Sequence, residues 1–260
     1  MGSIQPASNF LGGAEFIPPD AIFQVTKNYL ADTNPNKVNV GAGTYRDEKG
    51  QPWTLPSVRM AKERLGECDH EYLPIKGLKS FCDAAVELVF HDTKVLKKGR
   101  IASCQSLSGT GALLLAGLTL KNANASFKTV YITEPTWSNH DLLFHSLGFE
   151  AKKLPYYKDG AFHFEAYMET LKSAEASSII VLHSCAHNPT GCDPSKPQWK
   201  EIASVIKERG LFPVFDSAYL GFNSGSVAED AWAIKYFVED LELEASIAMS
   251  FAKSMGLYGI

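Results

Sequence analysis

From about residue 56 onward, short runs of β-branched residues alternate with longer segments of helical periodicity. The runs at 129–133, 178–183, 211–216 and 245–250 predict strands, and 178–183 is apolar enough to be buried on both faces. The segment 196–209 predicts a helix, which Gly210 ends in the usual C-terminal position. Strands that alternate with helices are typical of an α/β fold with a mostly parallel central sheet.

Composition limits the kinds of partner. The chain has 260 residues, of which 45% are apolar, so it can bury a sizeable core. Its net charge of −4 does not favour nucleic acid as a partner, because nucleic-acid binders usually present a basic face. The apolar stretch at 112–120 is too short to span a bilayer, and residues 1–20 show no targeting signal. We therefore expect no membrane partner and a cytoplasmic location.

The cysteines do not indicate a disulfide framework or a metal site. They are odd in number and scattered, and no CxxC pair occurs, which is typical of reduced thiols in the cytosol. His183, Cys185, His187 and Cys192 lie close together in sequence, but their spacing matches no common zinc pattern. We predict no metal ligands.

Polar residues follow three of the predicted strands. Asn188 follows the second strand, Asp216 ends the third, and Ser250 and Lys253 follow the fourth. Taken singly, each has an ordinary explanation as a turn residue, a helix cap or a surface charge. Because ligands of open α/β sheets bind at the carboxyl ends of the strands, their joint placement predicts one polar crevice there.

The segment 105–111 is rich in small and hydroxyl-bearing residues and opens a helical run at 112–121. Unpaired N–H groups at a helix start, together with Ser and Thr hydroxyls, can bind an anion. The segment is neither a Walker loop nor GxGxxG, and a simple helix cap would explain it equally well.

Together these segments resemble the aspartate aminotransferase family, which belongs to the class I aminotransferases of the fold type I pyridoxal-phosphate (PLP) enzymes. Eight short matches occur in the family's order and span most of the chain. They lie at 18–23, 38–47, 72–78, 106–111, 135–140, 187–191, 215–219 and 250–253. Any one of them would be weak, but eight in order make a chance resemblance negligible.

The resemblance implies a fold type I large domain, with a mostly parallel sheet flanked by helices, over residues 51–260. Residues 1–50 would form an N-terminal arm and a portion of the small domain. Family members continue past the position of Ile260, and their substrate-binding arginines and most of the small domain lie in that later part. This sequence has no arginine after Arg209. We therefore expect a largely missing small domain and turnover well below that of a complete enzyme.

The resemblance also implies roles for the residues around the cofactor ring. Lys253 would hold PLP as a Schiff base and move the proton at the substrate Cα. Asp216 would pair with the pyridine nitrogen, and His140 would orient Asp216. Asn188 and Tyr219 would hydrogen-bond the phenolic oxygen of the cofactor.

Further roles follow from the same resemblance and concern the ring face, the phosphate, the substrate and the partner subunit. Trp137 would stack on the ring. Trp137, Asn188 and the backbone of Ala42 and Gly43 would contact the substrate. Tyr72 would reach the phosphate of a neighbouring subunit, which implies a homodimer. The phosphate itself would be bound by Ser108, Gly109, Thr110 and Ser250.

The expected reaction is amino-group exchange between L-aspartate or L-glutamate and 2-oxo acids. Two alternatives stay open. The chain could catalyse aromatic transamination or another PLP reaction, because the residues that select the substrate are not in the sequence. It could also be an impaired truncated paralogue that binds PLP or an intact subunit.

Overall fold

The structure is a computed structural model and describes residues 10, 12–14, 16 and 21–258. The chain divides into two compact units, Met1–Trp53 and Thr54–Ile260. Residues 1–20, which include the match at Pro18 and Pro19, lie mostly outside the described residues. The domain boundary after residue 50 stays a prediction. None of the helices described is both long and apolar enough to cross a lipid bilayer.

The first unit contains one helix, α1 (Ala21–Ala31), among its described residues. Lys37 secures the end of this helix, since its Nζ atom donates to the carbonyls of Tyr29 at 2.8 Å and Asp32 at 2.7 Å. The same ammonium lies 4.5 Å from the centroid of the Tyr29 ring. An isolated antiparallel bridge between Arg46 and Pro52 closes a turn further along.

The second unit is built on a five-stranded sheet with the order β2-β1-β5-β6-β7. Every neighbouring pair in it is parallel. The remaining strands, β3 and β4, form a short antiparallel hairpin. The strands are β1 (Thr129–Glu134), β2 (Glu150–Pro155), β3 (Tyr157–Lys158), β4 (Ala161–Phe162), β5 (Ile179–His183), β6 (Phe212–Ser217) and β7 (Ser246–Met249).

Helices connect the strands, so the mostly parallel α/β class is confirmed. A π-helical turn at Tyr236–Asp240 directly follows the short helix Trp232–Lys235. The helices are α2 (Pro56–Leu65), α3 (Lys79–Phe90), α4 (Lys94–Lys97), α5 (Ser108–Ala123), α6 (Ser138–Ser146), α7 (Phe164–Ser173), α8 (Lys196–Arg209), α9 (Val227–Asp230), α10 (Trp232–Lys235) and α11 (Ala252–Met255).

The central strand β5 is buried along its whole length, as predicted. Its residues alternate between two apolar clusters. Ile179 and Val181 pack with residues of α5 and α6, whereas Ile180 and Leu182 pack with residues of α7 and α8. Helices therefore cover both faces of the sheet, which explains why this strand is apolar without interruption.

Phe215 of β6 anchors the second of these clusters and is fully buried. Its ring lies 5.1 Å from that of Phe237 and 6.3 Å from that of Trp199. Replacing such a side chain with alanine typically costs about 3–5 kcal/mol, because the cavity collapses only in part. This packing fixes the strand that carries Asp216 at its end.

The helix α8 has the predicted bounds, 196–209, and its ends show why. Ser195 and Gln198 form a reciprocal capping box at the start. Gly210 follows the last turn with φ +63°, a left-handed conformation that glycine adopts without strain. Here the local sequence alone determines both ends of the element.

Candidate active site

The segments that follow β1, β5, β6 and β7 meet at one edge of the sheet, because these strands are parallel. The register pairs His183 with Asp216, and Ser217 with Met249. The carboxyl ends of three adjacent strands are therefore level with each other. This is the position at which open α/β sheets bind ligands.

Asp216 is held by a buried histidine from another element. His140 lies in the first turn of α6 and is fully buried. Its Nε2 atom is 2.8 Å from Oδ2 of Asp216, whose side chain is only 11% exposed. The other ring nitrogen, Nδ1, is 2.8 Å from the hydroxyl of Thr136.

These contacts continue through a second histidine, and a backbone donor fixes their direction. The N–H of Asn188 donates to Nδ1 of His183 at 3.1 Å, so the proton of neutral His183 is on Nε2. That N–H points to the hydroxyl of Thr136 at 3.4 Å. Thr136 can then donate to His140, and the Nε2–H of His140 donates to Asp216. A directed chain of donors thus ends at the carboxylate.

Burial keeps His183 and the neighbouring His187 neutral. It lowers the pKa of His183 well below its ordinary value, and the nearby His187 and His140 lower it further. Burial also lowers the pKa of His187 to about 3. His187 is placed by the hydroxyls of Thr133 at 2.8 Å and Thr190 at 2.9 Å.

A second cluster lies where α5 begins. The hydroxyls of Ser108 and Ser250 are 3.0 Å apart, although 142 positions separate them in the chain. Ser108 adopts φ +54°, a left-handed conformation that costs about 1–2 kcal/mol for an L-residue. No side chain caps this helix start, and the N–H groups of Gly109 and Thr110 donate to no other described residue. Hydroxyls and unpaired N–H groups at a helix start can bind an anion.

The close approach at this cluster depends on a glycine. A Cβ atom on Gly109 would lie 3.2 Å from the Cβ of Ser250, closer than side chains normally pack. Ser250 is itself fixed, because its hydroxyl accepts the N–H of Ala252 at 3.2 Å. The structure therefore brings together the predicted anion-binding residues from both ends of the second unit.

Lys253 lies in α11, directly after Ser250, and is half-buried. Within the described part of the chain it forms neither a hydrogen bond nor an ion pair. Tyr219 is also half-buried, and its pKa is raised by burial and by the charge of Asp216. The ring of Trp137 packs edge-on against His140, with 5.5 Å between the ring centroids.

Three further predicted residues are exposed on the chain, and the structure gives no contact between them and this group. Tyr72 is 99% exposed on the single chain. Ala42 and Gly43 lie in an exposed bend of the first unit. Asn188 lies at the sheet edge and is half-buried. Its backbone N–H donates to Nδ1 of His183.

Sequence reasoning missed Thr136, Thr133 and the structural role of His183 and His187. The two histidines stood out only as metal candidates. The useful signal was that His183 ends a strand predicted to be buried on both faces, where a neutral histidine needs hydrogen-bond partners.

The fold and the site together define an α/β protein with an oriented carboxylate, a helix start with uncapped N–H groups and a half-buried lysine at one sheet edge. The sequence matches the family described as aminotransferase class I and II over residues 35–260. The chain therefore belongs to the class I and II aminotransferase family.

Named relatives agree with this assignment. The chain is 45% identical over 258 residues to the cytoplasmic aspartate aminotransferase of Caenorhabditis elegans, covering 96% of this chain and 62% of that protein. It is 42% identical over 258 residues to the mitochondrial aspartate aminotransferase of Xenopus tropicalis, covering 97% and 60%. The chain thus spans about three fifths of the length of these relatives.

Among solved structures, an aromatic-amino-acid aminotransferase from Burkholderia pseudomallei superposes with a TM-score of 0.89 at 36% identity. The match covers 96% of this chain and 63% of that one. That structure is described as covalently bound to pyridoxal phosphate.

Proposed function

We propose that this chain carries the PLP site of an aminotransferase that exchanges amino groups between L-aspartate or L-glutamate and 2-oxo acids. The observation that carries the proposal is the hydrogen bond of 2.8 Å between buried His140 and Asp216. It places an oriented carboxylate at the edge that also holds Lys253. The two aspartate aminotransferases at 42% and 45% identity support the substrate class.

The residues present fit the cofactor in charge and in hydrogen bonding. Asp216 would accept a hydrogen bond from the protonated pyridine nitrogen, and Trp137 would cover the ring. Asn188 and Tyr219 would donate to the phenolic oxygen. The phosphate would be bound by Ser108, Gly109, Thr110 and Ser250, whose hydroxyl pair and free N–H groups suit a dianion.

When bound, PLP supplies an electron sink for negative charge at the substrate Cα. The task of the protein is to hold and move protons around that carbon. Lys253 is the proposed carrier, because the residue is half-buried and its side chain is engaged by no other described group. Asp216 would keep the ring nitrogen protonated, and the backbone at Ala42 and Gly43 is proposed to contact the substrate carboxylate.

We also propose a homodimer and a division of the chain into an arm with a small-domain portion, 1–50, and a PLP-binding domain, 51–260. Exposure of 99% for Tyr72 and 106% for Ile75 supports the dimer, since large apolar side chains on a surface indicate contact with a partner. The cytoplasmic location stays a prediction, since the relatives include a cytoplasmic and a mitochondrial protein.

The deciding experiment uses borohydride to fix PLP on the purified chain, followed by peptide mass mapping. A pyridoxyl group on Lys253, absent from Lys253→Ala and from chain without PLP, is the expected result. Circular dichroism of Lys253→Ala controls for folding. Labelling spread over surface lysines such as Lys200 would refute the site.

Substrate addition then separates the alternatives. L-aspartate should convert bound PLP to pyridoxamine phosphate, detected by chromatography of the released cofactor. Conversion by L-phenylalanine but not L-aspartate would favour aromatic transamination, which the Burkholderia structure makes the second candidate. Labelling of Lys253 with no conversion by either amino acid would favour a PLP-binding paralogue without turnover.

A further inference from the structure

The loop that follows β5 is held by a carboxylate. Asp193 accepts the backbone N–H of Ala186 at 2.7 Å and that of His187 at 2.9 Å, one on each side-chain oxygen. Ala186 adopts φ +49°, a left-handed conformation that is strained for an L-residue. The N–H of Gly191 also donates to the carbonyl of His187 at 2.7 Å. Asn188 lies between these anchored positions, so Asp193 fixes the turn that presents Asn188.

A second carboxylate holds the loop that follows β6. Asp230 is buried at the end of α9, where a charge without partners would be costly. Its side chain accepts the backbone N–H groups of Gly221 at 2.8 Å, Asn223 at 3.3 Å and Ser224 at 3.1 Å. Tyr219 lies two positions before the first of these donors. Asp230 therefore fixes the loop that presents Tyr219.

One residue joins the two carboxylates. Nδ2 of Asn223 donates to Oδ2 of Asp193 at 3.3 Å, while the backbone N–H of Asn223 donates to Asp230. Asn223 and Asp193 are 30 positions apart in the chain, so this contact connects two separate loops. Asn223 is exposed, and its side chain can therefore be replaced without opening a cavity in the core.

We propose that Asn223 is a positioning residue, which couples the loop of Asn188 to the loop of Tyr219. The coupling runs through the two carboxylates, Asp193 and Asp230. The inference rests on the proposed function, in which Asn188 and Tyr219 both donate to the phenolic oxygen of PLP. Two donors on separate loops hold one oxygen atom well only when the loops keep a fixed separation. Loss of the contact would loosen both donors and leave their own side chains unchanged.

Amide exchange of the chain without cofactor tests the coupling. In Asn223→Ala, the N–H groups of Ala186 and His187 should exchange about three- to tenfold faster, because one hydrogen bond changes a local opening equilibrium by about that factor. These N–H groups donate to Asp193 and not to Asn223, so a change at them reports transmission between the loops. Parent-like exchange in β5 confirms that the variant folds.

The matched control is Ser224→Ala, which changes an exposed residue of the same loop. The hydroxyl of Ser224 donates to the carbonyl of Ser226 and accepts its N–H, and these bonds do not involve Asp193. Exchange of the two N–H groups bound to Asp193 should equal that of the parent chain. Asn223→Gln keeps a side-chain amide and should recover part of the loss.

A pH titration of the PLP-loaded chain then tests the positioning role. The absorbance of bound PLP changes when the proton shared between Nζ of Lys253 and the phenolic oxygen is lost. Hydrogen bonds to that oxygen stabilise the charge that remains on it, so loosened donors should raise the pH of half-change. For Asn223→Ala, which removes no charge, we expect a rise of about 0.5–1 pH unit. Ser224→Ala should show none.

The possible results differ in what they overturn. Parent-like exchange at Ala186 and His187 in Asn223→Ala would overturn the coupling. Faster exchange with an unchanged pH of half-change would mean that Asn223 only supports the loops, which would overturn the positioning role. Absence of a pyridoxyl group on Lys253 of the parent chain after borohydride treatment would instead refute the proposed function, and the positioning role with it, whatever the exchange rates are.

Discussion

His140 Nε2 lies 2.8 Å from Asp216 Oδ2, in a pair joined across 76 positions of sequence. The histidine side chain is fully buried and that of Asp216 is 11% exposed, so only the carboxylate of this pair is accessible to a ligand. A cation that binds at Asp216 would therefore meet a carboxylate whose orientation is already fixed. Orientation before binding reduces the entropy that binding must otherwise overcome.

Removing that orientation should weaken cofactor binding. A hydrogen bond to a charged group contributes about 1.5–3 kcal/mol, so His140→Ala should weaken PLP binding roughly 10- to 100-fold. His140→Gln retains an N–H donor and should recover part of the loss. Quenching of tryptophan fluorescence by PLP measures the dissociation constants.

The matched control for His140 is His145→Ala, which changes an exposed histidine of the same helix. It should leave PLP binding unchanged. Equal dissociation constants for His140→Ala and the parent chain would show that Asp216 is oriented by the strand alone.

The serine pair makes a prediction specific to the phosphate. Ser250→Ala removes a hydroxyl 3.0 Å from that of Ser108 and should weaken PLP binding about tenfold, since charge-assisted hydrogen bonds are strong. Binding of pyridoxal, which lacks the phosphate, should not change. Isothermal titration with PLP and with pyridoxal gives the two dissociation constants, and their ratio in each variant tests the prediction.

Ser250 also accepts the N–H of Ala252, so a purely structural role has to be separated from phosphate binding. Ser204→Ala, on exposed α8 surface, controls for loss of a serine hydroxyl elsewhere. If Ser250→Ala weakens PLP and pyridoxal equally, the hydroxyl supports the loop and not the phosphate.

The fold was predictable wherever the local sequence and the tertiary structure agree. The helix α8 has a capping box and a terminal glycine, and β5 is apolar throughout, so both were predicted to within one residue. Strand β2 was missed. It reads Glu-Ala-Lys-Lys-Leu-Pro, half of its residues are charged and it lies at the sheet edge, so only its pairing with β1 makes it a strand.

The same distinction applies to the candidate site. Residues that directly follow strands, such as Asp216, were predictable because strand ends are visible in the sequence. The contact of Thr136 with His183 was not, because 47 positions separate them and only packing brings them together. The left-handed backbone of Ser108 was equally hidden, since serine does not indicate positive φ.

A further prediction concerns assembly. If Tyr72 and its neighbours contact a second copy, Ile75→Glu should convert a dimer to a monomer, because a buried, unpaired carboxylate is costly. Sedimentation velocity measures the change. Tyr157→Glu changes another exposed aromatic, in the hairpin of β3, and should leave the assembly intact. Sedimentation of the parent chain as a monomer would contradict the proposed dimer.

The buried histidines predict how stability depends on pH. Burial lowers the pKa of His183 and His187 in the folded chain below the ordinary value of 6.5. Below pH 6.5 the unfolded chain therefore binds protons that the folded chain does not. The free energy of unfolding should fall as the pH is lowered, by up to about 1.4 kcal/mol per pH unit for each histidine. For His187 the fall should continue toward its folded pKa of about 3.

The window from pH 6.5 to 5 separates these histidines from the carboxylates. Glu175 and Glu239 also have lowered pKa values, but they contribute only near and below their ordinary value of 4.5. Urea unfolding without cofactor should therefore show a shallower slope in this window for His187→Gln than for the parent. His187→Gln also loses hydrogen bonds to Thr133 and Thr190, and this lowers the free energy of unfolding at every pH. The proton uptake of His187 is therefore read from the slope of the free energy of unfolding against pH and not from its absolute value. His145→Gln should retain the parent slope, and a parent-like slope for His187→Gln would mean that His187 takes up its proton in the folded chain.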